Sequence, residues 1–193
     1  MLIAVEGIDG SGKTTIVKEI ANRLKFDFVE KALHDALDLP VCDYIHLREN
    51  LKKNTIASKQ IMAMFFGMNN IICGTMGKSK NIVSDRYIAT NYYWYGCNET
   101  ENIYDAIIHS SGKPHLTVLL NASPETITER IKSRSYASMA DQDRELSLAP
   151  YAIDFLHKTK QFLDCHDFNY IVVDNDNRSV SDVVDEIIAH IPL

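Results

Sequence analysis

The chain has 193 residues, 46% of them apolar, and a formal net charge of −6 at pH 7. That length reads as one domain, able to bury roughly 70% of the surface its unfolded chain would expose, and the acidic balance argues against a nucleic acid partner, which demands clustered Lys and Arg. Cys42, Cys73, Cys97 and Cys165 form no C-x-x-C pair, which argues against a zinc or disulfide framework and points to a soluble protein of a reducing cytoplasm.

Leu2–Val5 is a short apolar run that reads as a buried strand; Glu6 ends it too early for a secretion signal. Directly behind it, Gly7-Ile8-Asp9-Gly10-Ser11-Gly12-Lys13-Thr14 fits G-x-x-x-x-G-K-[ST], and the strand before it makes the segment a phosphate-binding loop. Gly10 and Gly12 let the backbone curl so that N–H groups converge on an anion, with Gly7, Asp9, Ser11 and Thr15 completing the cradle. Lys13 is expected to touch only solvent and the β- and γ-phosphates of a nucleotide, and the Thr14 hydroxyl to ligate its Mg²⁺. Ile16, Ile20 and Leu24 then recur every fourth residue, so Lys13–Lys25 reads as a helix with one apolar stripe and its N-terminus toward the phosphates.

Further apolar runs at Asp27–Val29, Ile82–Val83, Leu116–Leu120 and Tyr170–Val173 read as buried strands. Helical patterns lie between them at Ile45–Lys53, Ser58–Met76, Glu101–Ser110, Pro124–Ser133, Ala149–Cys165 and Ser179–His190. Alternation of this kind predicts a doubly wound α/β sheet, in which ligands collect outside the carboxyl ends of the strands. Glu6, Glu30 and Asp85 are therefore the strand-ending polar residues to inspect. The longest apolar stretch, Ile61–Phe66, is too short to span a bilayer. The seven histidines show no spacing that suggests a metal or a relay.

Asp85-Arg86-Tyr87 places an acid and a base where a central strand ends. Asp85 there can hold Mg²⁺ or orient a hydroxyl, and the forked donors of Arg86 can grip an acceptor phosphate. The polar segment Ser133–Ser147 is poor in large aliphatics and bracketed by helices; it reads as a solvated connector or as a lid, with Lys132, Arg134 and Arg144 as cations for a transferring phosphoryl group.

These residues together resemble the thymidylate kinase family of P-loop nucleoside monophosphate kinases. The resemblance rests on Glu6-Gly7-Ile8-Asp9 with the loop, Asp85-Arg86-Tyr87, Pro114-His115-Leu116-Thr117, Ser123-Pro124-Glu125 and Asp143-Arg144-Glu145, and spans nearly the whole chain. It implies a P-loop NTPase-type, five-stranded parallel sheet flanked by helices in a single kinase domain over 1–193, with a lid at about 133–147. It also implies Mg-ATP as donor, a deoxynucleoside monophosphate, dTMP foremost, as acceptor, and a homodimer. By the same resemblance Asp9 lies near the acceptor sugar, Arg86 clamps the acceptor phosphate, Phe66 stacks on the base, Trp94 follows the Asp-Arg-Tyr motif, and Thr90 lines the same pocket. Lys13, Asp85, Arg86, Arg134 and Arg144 are the candidate catalytic groups.

Two departures stand out. Where the family carries Arg-Glu-Pro-Gly-Gly, this chain has Val29-Glu30-Lys31-Ala32, and Asn70 replaces an Arg four residues after the stacking aromatic. The Asn70 amide can still bond a base edge. A free deoxynucleoside or another monophosphate therefore stays open as acceptor, and so does a non-catalytic nucleotide sensor. A GTP switch is disfavoured, because no Asn-Lys-x-Asp guanine reader occurs.

Overall fold

Five parallel strands carry the molecule: β1 (Leu2–Glu6), β2 (Asp27–Val29), β3 (Ile82–Asp85), β4 (Leu116–Asn121) and β5 (Tyr170–Asp174), in spatial order β2-β3-β1-β4-β5. The structure, a computed structural model, describes residues 1–54, 58–136 and 138–191. β1 lies at the centre, with Val5 beside Asp85 on one side and Glu6 beside Leu119 on the other. All five residues of β1 are buried, as an apolar run covered on both faces must be.

Alternation along the strands sorts the core into two layers. Ile3, Val5, Val83, Leu116, Val118 and Val173 pack with Ile16, Val17 and Ile20 of α1 (Lys13–Leu24) and with Val183, Val184 and Ile187 near the C-terminus. Leu2, Ala4, Ile82 and Leu119 face the opposite layer, where Cys73, Ile88, Tyr104, Ile107 and Phe162 cover the sheet. That layer draws on α2 (Ala32–Leu37), α4 (Ser58–Ser79), α5 (Ile88–Tyr95), α6 (Glu101–Ser111) and the later helix that carries Phe162, while α3 (Val41–Asn54) packs against α4. After β4 come α7 (Pro124–Lys132), α8 (Met139–Leu146) and α9 (Ala152–Cys165), and α10 (Val180–Ala189) returns to the α1 side. Gly74 of α4 lies so close to α6 that a Cβ there would sit 2.1 Å from the Ser111 carbonyl oxygen.

The expected strands are all present, each within two residues of its expected ends. The helices depart more, and α3 starts at Val41, four residues before its expected start. α2, α5 and α8 lie where no helix was expected, and the helix expected from Ala149 begins as a single 3₁₀ turn, Ala149–Tyr151, before α9. α8 converts the polar connector into a short helix, capped by Ser138 Oγ accepting from the Asp141 amide at 3.2 Å. The expected lid, 133–147, includes Ala137, which lies outside the described residues.

Candidate active site

The loop between β1 and α1 adopts the geometry its glycines permit. Gly10 and Gly12 hold φ of 86° and 95°, a region costly for any residue with a Cβ. Its outer side is held by side chains from the far end of the chain: Arg130 Nη1 and Asn175 Nδ2 donate to the Ser11 carbonyl at 3.0 and 2.7 Å, and Arg130 Nη2 donates to the Asn175 carbonyl at 2.7 Å. Gly7 packs beneath the buried Ser11 side chain, and Thr15 stands exposed on the first turn of α1.

Lys13 corrects an expectation. It is only 5% exposed, and its Nζ donates to the Ile8 carbonyl at 2.8 Å instead of standing in solvent. Burial, reinforced by the Arg86 charge, pushes its ammonium down to about 8, against the pull of Asp9, Asp85 and Glu6. An anion in the loop would relieve that penalty.

Thr14 Oγ1 donates to Asp85 Oδ2 at 2.5 Å, joining the loop to the end of β3. Asp85 is 5% exposed and its Oδ1 has no hydrogen-bond partner among the described residues. A hydroxyl and an orphaned carboxylate oxygen at the edge of a phosphate cradle make a donor set suited to a hard divalent cation.

Arg86, one residue on, has a positive φ of 75°. A non-glycine residue held there costs about 1–3 kcal/mol, and such strain gathers at functional positions. The conformation is fixed by Arg86 N donating to the Val5 carbonyl at 2.9 Å and by the Ser84 hydroxyl donating to the Arg86 carbonyl at 2.7 Å. The guanidinium bonds Asp9 and donates to the Gly7 carbonyl. Burial opposes its charge, but Asp9, Asp85 and Glu6 outweigh it and hold its pKa above the ordinary value. Asp9 in turn is kept below the usual carboxylate range: burial works against this, and Arg86, Lys13, Arg134 and Arg144 overcome it.

Glu6 has a structural role. It is fully buried and accepts from Ala89 N at 3.0 Å, Thr90 N at 3.2 Å and Thr90 Oγ1 at 2.5 Å. It thereby caps the N-terminus of α5 from a distant strand, and burial still raises its pKa. The Thr90 hydroxyl proton is committed to Glu6, so Thr90 presents only acceptor lone pairs to a ligand.

Between these groups lies a cleft of about 500 Å³. Asp9, Lys13, Thr14, Asp85, Arg86, Thr90, Phe66, Asn70, Trp94 and Arg144 all line it, so the structure gathers most of the residues singled out from sequence. Phe66 is half-buried and stacks on Tyr95, with centroids 5.6 Å apart and planes at 16°. Asn70 is 2% exposed and its Nδ2 has no partner among the described residues, a donor that a ligand acceptor can satisfy. Trp94 is partly exposed, edge-on to Tyr93.

Arg134 and Arg144, of the segment expected to form a lid, are differently engaged. Arg134 Nη1 lies 3.1 Å from Glu145 Oε2, which also accepts from the Tyr136 hydroxyl at 2.7 Å. Arg144 is exposed, with only a 3.9 Å contact to Asp141, and it borders the cleft. Lys132 is exposed and stands outside the cleft lining. Sequence reasoning missed Arg130, Asn175, Tyr44, Arg48, Lys52, Asn69 and Tyr95. Arg48 and Lys52 share one face of α3 at i, i+4 spacing, a signal usable only once the cleft is known to lie under that face.

A parallel sheet in this order, a glycine-rich loop with a buried lysine, and an Asp-Arg pair ending the adjacent strand define a P-loop phosphotransferase. The sequence profile of the thymidylate kinase family matches residues 5–187, and the chain belongs to that family; it is an ATP-dependent nucleotide kinase. Among curated proteins it is 27% identical to "Probable thymidylate kinase" of Methanocaldococcus jannaschii, covering 99% of this chain and 95% of that one. It is 30% identical to the protein of the same name from Archaeoglobus fulgidus, covering 90% and 86%. Among solved structures it resembles a deoxyadenosine kinase from M. mycoides with bound dATP, with a TM-score of 0.65 at 19% identity over 98% of this chain and 97% of that one. At that identity the likeness shows the fold alone. No helix among the described residues is long and apolar enough to cross a membrane.

Proposed function

We propose that the chain transfers the γ-phosphoryl group of Mg-ATP to a deoxynucleoside monophosphate, with dTMP the foremost acceptor. The observation that carries this reading is the contact between Thr14 and Asp85, with Asp85 Oδ1 left orphaned one residue before Arg86. It sets a metal-suited carboxylate and an acceptor-suited guanidinium side by side at the end of β3. The family supports ATP as donor and the relatives' names support dTMP.

In this mechanism the loop from Gly7 to Thr15 cradles the donor phosphates with backbone N–H groups, and Lys13 moves from the Ile8 carbonyl onto the β- and γ-oxygens. Thr14 and Asp85 would hold Mg²⁺, which when bound neutralises charge on the donor phosphate oxygens. Arg86 holds the acceptor phosphate in line while Asp9 fixes that guanidinium. Phe66 and Trp94 offer ring faces to the base, Asn70 an amide to its edge, Asp9 and Thr90 acceptors to the sugar. Arg134 and Arg144 supply positive charge where it builds up in the transition state, and lid closure excludes water. The enzyme acts in the cytoplasm as a homodimer on this reading. Its family and the exposed apolar side chains Val41 and Ile45 of α3 and Met64 and Met68 of α4 support the dimer.

The test is ATP-dependent phosphorylation of a panel of monophosphates by the purified chain, with Arg86→Lys beside it. The variant is expected to raise the dTMP KM or lower kcat roughly 10- to 100-fold, because an ammonium cannot reproduce the fork, with ATP affinity by calorimetry little changed. Failure to phosphorylate any monophosphate would overturn the proposal.

A further inference from the structure

Arg130 and Asn175 stand outside the cleft lining, yet both press on the loop that faces it. Arg130 belongs to the last turn of α7, and its two hydrogen bonds end on backbone carbonyls, those of Ser11 and Asn175. Asn175 directly follows β5; it is 4% exposed, and its own amide donates to the carbonyl of Asn121, the last residue of β4, at 2.9 Å. Asp176 accepts from Ser123 N at 2.9 and 3.1 Å, and Ser123 caps the start of α7. The turn after β5 therefore braces both the loop and the helix that carries Arg130.

The Arg130 and Asn175 side chains together occupy both lone pairs of the Ser11 carbonyl. In a trans peptide a carbonyl and the N–H of the next residue point in opposite directions. Two donors that draw the Ser11 carbonyl outward thus turn the Gly12 N–H to the other side, into the concavity of the loop. Without them the peptide has an easy alternative. Gly12 sits at φ 95°, and glycine crosses between positive and negative φ at little cost, so an unpinned Ser11–Gly12 peptide can turn over and set its carbonyl oxygen where an anion must lie. Burial lowers the Arg130 pKa, Asp176 opposes the fall and Arg134 adds to it, but a guanidinium stays protonated throughout. Its charge-assisted bond polarises the peptide and makes the Gly12 N–H a stronger donor.

We infer that Arg130 and Asn175 are positioning residues for the phosphate donor: they hold the Gly12 N–H toward the donor phosphates and so set polyphosphate affinity without touching the nucleotide. The inference rests on the reading of the loop as the ATP cradle given above. A loop N–H serves the donor in the ground state and the transition state alike, so losing its orientation weakens binding and spares kcat.

The test is calorimetry of the full chain with ADP and with inorganic tripolyphosphate, beside steady-state kinetics, for the native protein, Lys13→Met, Arg130→Met, Arg130→Lys and Asn175→Asp. Arg130→Met should weaken ADP and tripolyphosphate by the same factor, about 10- to 100-fold. The ATP KM should rise by a like factor, with kcat within about threefold of native and the acceptor KM unchanged. Arg130→Lys, whose ammonium can reach one of the two carbonyls, should recover part of the loss. Asn175→Asp sets a carboxylate oxygen against the Ser11 carbonyl and should lose as much as Arg130→Met, which keeps the test open if either variant folds poorly. Lower stability or a smaller active fraction with both affinities unchanged would overturn the inference by making the contacts structural. Loss of ADP binding with tripolyphosphate binding kept would also overturn it, by placing Arg130 on the nucleoside. A native chain that binds neither ligand, or a Lys13→Met variant that binds both as well as native, would overturn the ATP cradle reading and this inference with it.

Discussion

Replacing Lys13 with methionine keeps the length of the side chain and removes its charge, so it isolates what the buried ammonium costs the protein without nucleotide. The drop from 10.5 to about 8 corresponds to roughly 3 kcal/mol of charging cost at pH 7, at about 1.4 kcal/mol per pH unit. Against that relief stands the lost bond to the Ile8 carbonyl, worth about 1 kcal/mol. Lys13→Met should therefore be more stable than the native chain by about 2 kcal/mol at pH 7, or roughly 4–8 °C in Tm for a chain of this size, while losing turnover. The folded-state pKa is depressed, so the stability linked to Lys13 is complete above the unfolded value of 10.5 and is lost as pH falls through about 8. By pH 9.5 the charging cost shrinks to about 1 kcal/mol and the advantage of the variant should nearly vanish. Urea denaturation of both proteins without nucleotide at pH 7 and 9.5 measures this. Mg-ATP should reverse the order by stabilising only the native chain strongly. A variant no more stable than the native chain at pH 7, or a difference independent of pH, would refute the reasoning.

Two further outcomes follow from the lid and the helix packing. α8 buries no side chain, so amides across 138–147 should exchange quickly in the free protein and slowly with a bisubstrate analogue. Arg134→Ala with Arg144→Ala should cut kcat by about 10³ with little change in ATP KM; equal exchange in both states or near-normal kcat would make the segment an ordinary connector. Gly74→Ala sets a Cβ 2.1 Å from the Ser111 carbonyl oxygen, backbone against backbone, so it should cost at least about 2 kcal/mol in a melt. An unchanged Tm would show that α4 and α6 separate freely.

What was legible in the sequence was what local chemistry determines. The strands announced themselves because residues such as Ile3, Ala4 and Val5 are covered on both faces, and the loop because its glycines and Lys13 have one sensible use. α5 was not legible. Its residues Ile88-Ala89-Thr90-Asn91-Tyr92-Tyr93-Trp94-Tyr95 are mostly β-branched or aromatic, and its cap comes from Glu6, a residue 83 positions upstream of Ala89. For α8 a local cue did exist, Ser138 followed three residues later by Asp141, but no apolar stripe drew attention to it. Glu6 was marked as a strand-ending acid without its partners being visible. The cleft cations of α3 likewise needed the tertiary arrangement, since helical spacing alone does not say which face looks inward.

The three bonds from Glu6 to the start of α5 weld the strand that feeds the donor loop to the helix that forms one acceptor wall. On the proposed mechanism this joint couples the donor and acceptor halves, so the distance the phosphoryl group crosses would be set when the chain folds. Under that proposal, changes of specificity have two unequal routes. Changes in α3, in α8 or at Asn70 would then retune which acceptor enters and how long it stays without disturbing the crossing distance. On the same proposal a change at Glu6 would alter the seating of both substrates at once.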